Sequence, residues 1–84
     1  MTTPTNIYGM EWNRGAAQDG RNYGDAARCS AAIVRGWTAE REEAQKAGDT
    51  ERAEHATAQI TRWEQIHAAD AETVEKRGPY GGPW

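Results

Sequence analysis

The sequence contains no leucine, no phenylalanine and a single cysteine. Each absence excludes something. Without leucine or phenylalanine, the usual filling of a helical core is missing, and the branched aliphatics reduce to Ile7, Ile33, Val34, Ile60, Ile66 and Val74. With Cys29 alone, an intramolecular disulfide cannot form, so the staple common in small secreted domains is excluded. No apolar run approaches the roughly 18 residues of a membrane span. The N-terminus shows neither the basic start nor the apolar stretch of a secretory leader. The expected setting is the cytoplasm, or the inside of a virion, with no membrane partner. A basic surplus is lacking as well: the net charge is −3. That balance speaks against a generic nucleic-acid binder, because neutralising phosphates needs a basic surface. No phosphate-cradling loop is present, since Gly9, Gly15, Gly20 and Gly24 do not match its spacing.

The apolar surface is carried by large aromatics instead: Tyr8, Trp12, Tyr23, Trp37, Trp63, Tyr80 and Trp84. A chain of 84 residues is one domain at most and has a marginal core. Aromatics on an alanine-rich scaffold must therefore supply much of the burial. Either every aromatic packs within the chain, or a partner completes the fold. Arginine outnumbers lysine eight to two, a bias suited to GC-rich coding DNA such as that of actinobacteria and their phages.

Three segments follow from composition. Residues 1–24 form an arm rich in Gly, Asn and Thr with interspersed aromatics. Residues 25–77 hold no proline and only Gly36 and Gly48 among glycines, and they are dominated by helix-forming Ala, Glu, Arg and Gln. Residues 78–84, Gly-Pro-Tyr-Gly-Gly-Pro-Trp, form a tail that cannot be helical. The fold class this predicts is all-α: an antiparallel helical hairpin, about 25–47 and 50–77, with an irregular or short-helical arm and an extended tail. Asp25 is the expected N-cap of the first helix. Gly48 suits the left-handed position that ends it. Asp49 or Thr50 caps the second helix, and Gly78-Pro79 stops it. In the arm, residues 11–18 form the expected short helix.

The short turn sets a register in which facing positions sum to about 97. Trp37 then lies opposite Ile60, Ile33 beside Trp63, and Ser30 opposite His67. Tyr23 comes near Val74. Two helices cannot cover both faces of Trp37 and Trp63, so the arm, with Trp12 closing the layer, or a second copy of the chain must do so. Cys29, Ala32 and Gly36 form a small-residue groove on another face, which admits the arm or a partner.

The functional expectation is a non-enzymatic protein–protein interaction or assembly module. A small accessory or structural protein of an actinobacterium or its phage is one form of it. The partner is another protein or a second copy, and the candidate anchors are Trp12, Tyr80 and Trp84, because aromatic anchors dominate interface energetics. The tail either docks elsewhere or folds back on the open end of the hairpin. No catalytic, metal or cofactor residue is assigned. One alternative is a nucleic-acid accessory factor using Arg14, Arg21, Arg28 and Arg35, which recur every seven residues beside aromatics. The plainer reading of these arginines is a solvated surface with local ion pairs. Another alternative is a minor metal or thiol site at Cys29 and His67, joined by Ser30 and Asp70 at one level of the hairpin. No metal-ligand motif backs it, and a small buried cysteine with a Ser30–His67 polar pair is the plainer reading. The acidic run Glu40, Glu42 and Glu43 reads as a solvated helix face.

Overall fold

A computed structural model describes residues 5–80, which form three helices: α1 (Thr5–Asp19), α2 (Tyr23–Lys46) and α3 (Thr50–Arg77). Short turns make successive helices antiparallel, and α2 packs against both neighbours. The molecule is long and thin, 51 × 20 × 12 Å. Trp84 lies outside the described residues.

The hairpin of α2 and α3 is all-α and antiparallel, as the composition and turn signals predict. Gly48 has φ +71°, and Asp49 N–H donates to the Ala44 carbonyl at 2.8 Å while Gly48 N–H donates to Gln45 at 3.1 Å. This pair of bonds is a Schellman turn. Asp49 then caps α3, its side chain accepting from the Arg52 N–H. The start of α2 differs from expectation. Its N-cap is Asn22, whose side chain accepts from the Asp25 N–H. Asp25 instead sits in the first turn, where its charge suits the positive end of the helix.

The arm is more helical than its glycines imply. α1 runs for 15 residues and ends in a second Schellman turn: Asn22 N–H to Ala17 at 2.7 Å and Arg21 N–H to Gln18 at 3.0 Å. Here the left-handed residue is Arg21, with φ +60°, a position usually given to glycine. Tertiary packing holds α1 in place. Ile7 enters the core with Ile33, Trp37, Ala56, Ile60 and Trp63, and Met10 packs against that cluster. Gly36 makes room for it: a Cβ there would lie 2.9 Å from Ile7 Cγ1. The small-residue face of α2 thus receives the chain's own arm. The residue that closes the tryptophan layer is Ile7; Trp12, expected there, is 74% exposed. A helix that directs Ile7 and Arg14 inward turns residue 12 outward, because five positions of helix rotate a side chain well off the buried face.

Two bidentate ion pairs cross between helices. Arg14 of α1 grips Asp70 of α3 at 2.6 and 2.8 Å. Arg52 of α3 grips Glu40 of α2 at 2.9 and 3.0 Å. Glu40 is therefore buried and paired, which corrects the solvated face expected for it. A helix-surface charge pattern does not register a partner on the next helix. The aromatic core has a cost: the indole N–H groups of Trp37 and Trp63 are buried without a hydrogen-bond partner, about 1–3 kcal/mol each. Their rings have partners, however. The Trp37 ring meets His55 edge-on at 5.3 Å, and the guanidinium groups of Arg14 and Arg62 lie 5.7 and 5.5 Å from the centre of Trp63.

Candidate functional site

At the level of Ser30, helix geometry brings α2 and α3 together as the register requires. His67 Nδ1 lies 3.1 Å from Ser30 Oγ and 3.1 Å from the Ala27 carbonyl. A carbonyl oxygen only accepts, so the Ala27 contact is a hydrogen bond in the tautomer whose Nδ1 carries the proton. Ser30 Oγ donates its own hydrogen to Ala27 at 3.1 Å. In that tautomer Nδ1 has no lone pair left for the Ser30 hydroxyl. The other two members of the expected cluster are separated from it. Asp70 is taken by Arg14. Cys29 is half-buried and faces α1 instead. Among the described residues, no group of three or more His, Cys, Asp or Glu is placed to hold a metal ion.

Arg14 is fixed by three features of the core. Asp70, its partner, is only 5% exposed. The Asp70 hydrogen bond and charge hold the guanidinium above its ordinary pKa, against the opposing effect of burial. Its plane also lies near Trp63. The arginine is a clamp from α1 to α3, a role its seven-residue spacing from Arg21 does not disclose. Arg21 occupies the turn, and Arg28 and Arg35 are exposed on α2. Arg28 is paired with Asp25 one turn away. The four arginines are thus divided among α1, a turn and α2, and form no continuous stripe.

Two surfaces remain open. The first is the outer face of α1. Trp12 projects from it, and a shallow depression beside the indole is formed by Glu11, Gly15, Ala16 and Asp19. A Cβ at Gly9 or at Gly15 would meet nothing within 4 Å, so neither glycine is required by packing in the chain itself. The second is a groove of about 660 Å³ between α1 and α2, with Met10, Ala16, Cys29 and Ala32 in its lining and Arg28 at its edge. Tyr80, the other sequence-selected anchor within the described residues, is 65% exposed. Beside it Pro79 is tied to α2, where Gly24 N–H donates to its carbonyl at 3.0 Å.

No protein-family description, curated protein or solved structure matches the chain. No helix among the described residues is long and apolar enough to cross a membrane.

Proposed function

We propose that the chain is a non-enzymatic interaction or assembly module whose docking face is the outer side of α1, with Trp12 as its central anchor and Tyr80 as a second one. The observation that carries this reading is the indole of Trp12, 74% exposed on a chain short of apolar side chains. Covering such a ring removes a large apolar area from water, and tryptophan is among the commonest interface anchors. The surroundings agree. Gly15 and Ala16 flank the ring, and two bare glycines in a helix cost about 1 kcal/mol each relative to alanine. Small residues around a large anchor let a partner's backbone approach closely. An accessory or structural protein that assembles with another protein, or with further copies of itself, needs no more than this.

The nucleic-acid reading has less support. Arg14 is committed to Asp70 and Arg28 is paired with Asp25, so half of the proposed cations are already engaged.

Photo-crosslinking tests the proposal. A benzoylphenylalanine placed at Trp12 should give one dominant adduct in the source cells, either a defined protein or a dimer of the chain. The same group at exposed Glu75 should not. Equal labelling from the two positions would remove the reading.

A further inference from the structure

We infer that the partner of the α1 face is a second copy of this chain, held in a two-fold dimer whose axis passes Ala16. The inference rests on the docking role of Trp12 proposed above and names its occupant. Trp12, Ala16 and Gly20 are successive i,i+4 positions, so they form one row on α1. Gly20 stays in line with the helix because its N–H donates to the Ala16 carbonyl at 3.0 Å. Ala16, exposed at the middle of the row, borders both the depression beside the indole and the groove between α1 and α2, and Gly20 lines that groove as well. A bulky indole thus stands at one end of the row and a bare backbone at the other. A two-fold axis at Ala16 exchanges the ends, so that facing positions of the two copies sum to about 32. Each Trp12 then lies over Gly20 of the other copy.

Charge selects this occupant. The same sum sets Glu11 against Arg21, an acid against a base, once on each side of the axis. Among the described residues, neither takes part in an ion pair within the chain. Arg21 also holds the left-handed angle φ +60°, where glycine would be free of strain. A strained residue that persists implies a use for its side chain, and Glu11 of the other copy supplies one. Arg28 lines the same groove with its side chain 75% exposed, and a guanidinium there gives the incoming indole a cation–π partner. At the axis Ala16 meets its own mate, and so small a side chain lets two antiparallel helices approach closely.

The area sets the strength. Each indole removes roughly 150–250 Å² from water, and a helix of 15 residues adds only a narrow strip beside it. The interface therefore belongs with the small, transient ones, below about 1,200 Å². Its dissociation constant falls on the order of 10–100 µM, so the chain is monomeric in dilute solution. Under those conditions Arg21→Gly relieves its strain without losing a contact.

Sedimentation equilibrium from about 1 µM to about 1 mM should show monomers passing to dimers and to nothing larger, because a two-fold contact closes on itself. Trp12→Ala should weaken the dimer at least about tenfold, with circular dichroism to verify that the helices persist. Glu11→Arg and Arg21→Glu should each weaken it several-fold, and both in one chain should restore it, since the exchanged pair is complementary again. In a Cys29→Ala background, a short bis-maleimide should join two copies of Ala16→Cys and should not join two of Glu75→Cys. A chain still monomeric at about 1 mM would overturn the inference. A photo-adduct of Trp12 with a different protein would then leave the docking face itself standing, so the two readings fail separately. A dimer indifferent to Trp12→Ala, or charge variants that do not restore one another, would overturn it too, by placing the contact on another face or in another register.

Discussion

Gly36 and Ile7 act as one unit, and neither is interpretable alone. In isolation Gly36 weakens α2 by about 1 kcal/mol relative to alanine. In the folded chain that weakness creates the notch into which Ile7 fits, and Ile7 is the side chain that covers the aromatic core from the α1 side. An added Cβ would stand 2.9 Å from Ile7 Cγ1 and 3.2 Å from Cδ1. Cγ1 is close to the backbone of a β-branched residue, so it cannot swing clear without moving α1. Gly36→Ala should therefore destabilise the chain by about 1–2 kcal/mol, the range for overpacking a fitted core, despite its better helix propensity. In an Ile7→Ala background the same substitution should be neutral or stabilising by up to about 1 kcal/mol. Urea denaturation of the four chains measures the cycle. Equal effects in both backgrounds would mean that the contact does not govern the site. At the same scale, the ion pairs explain why single residues were read differently from their sequence context. Arg14 and Asp70 are 56 positions apart, and Glu40 and Arg52 are 12 apart on different helices. A carboxylate within an acidic run is buried when a guanidinium from another helix arrives to satisfy it.

Among the elements, the two turns are built alike and differ in one residue. Both close with the bond pair of a Schellman turn. Gly48 occupies the left-handed position before α3, whereas Arg21 occupies it before α2. An L-residue in that region costs roughly 1–2 kcal/mol, partly offset because glycine loses more backbone freedom on folding. Arg21→Gly should thus stabilise the chain by about 0.5–1 kcal/mol, and Gly48→Ala should destabilise it by about 1–2 kcal/mol. Opposite shifts in thermal midpoint confirm the assignment, and a fall in midpoint for Arg21→Gly contradicts it. This difference also explains what was legible. Gly48, followed by Asp49, carries the usual chemistry of a helix end, so the hairpin, its register and the Ser30–His67 contact follow from spacing. The α1–α2 turn places its glycine one residue early, at Gly20, and puts arginine where the strained angle falls, so the start of α2 is read too late. α1 itself was hidden by Gly9 and Gly15, which lower its intrinsic propensity. Its length reflects tertiary contacts through Ile7 and Met10, and these contacts hold it together more than local preference does. The exposed anchors are partly legible. That Trp12 and Tyr80 are aromatic is plain, but the exposure of Trp12 depends on the rotation of α1.

Across the whole molecule, stability is unequal by construction. α2 and α3 share a long seam with most of the core, from Ala26 to Ala44 on one side and Ala56 to Asp70 on the other. α1 contributes one buried aliphatic, Ile7, and reaches α3 through the Arg14 clamp. It carries the docking face proposed above and is the element with least internal support. Its opening should cost less than global unfolding, as peripheral units do. Raising the pH does little to the clamp over the working range. Its guanidinium pKa is raised on folding, so its stabilising contribution is complete below the ordinary arginine value and declines only as pH passes the folded value. Salt acts weakly as well, because Asp70 is buried and poorly screened. Mutation is the direct route. Arg14→Ala leaves Asp70 buried without its partner, a change worth about 3–5 kcal/mol when one side of a buried pair is removed, here reduced by the partial exposure of Arg14. Hydrogen exchange should therefore show amides of α1 exchanging before those in the middle of α2 and α3 in the unaltered chain. In Arg14→Ala the protection of α1 should fall by at least about tenfold, since 1.4 kcal/mol is a factor of ten, while residues near the Gly48 turn change little. A uniform loss across all three helices would show instead that α1 folds and unfolds with the hairpin as a single cooperative unit.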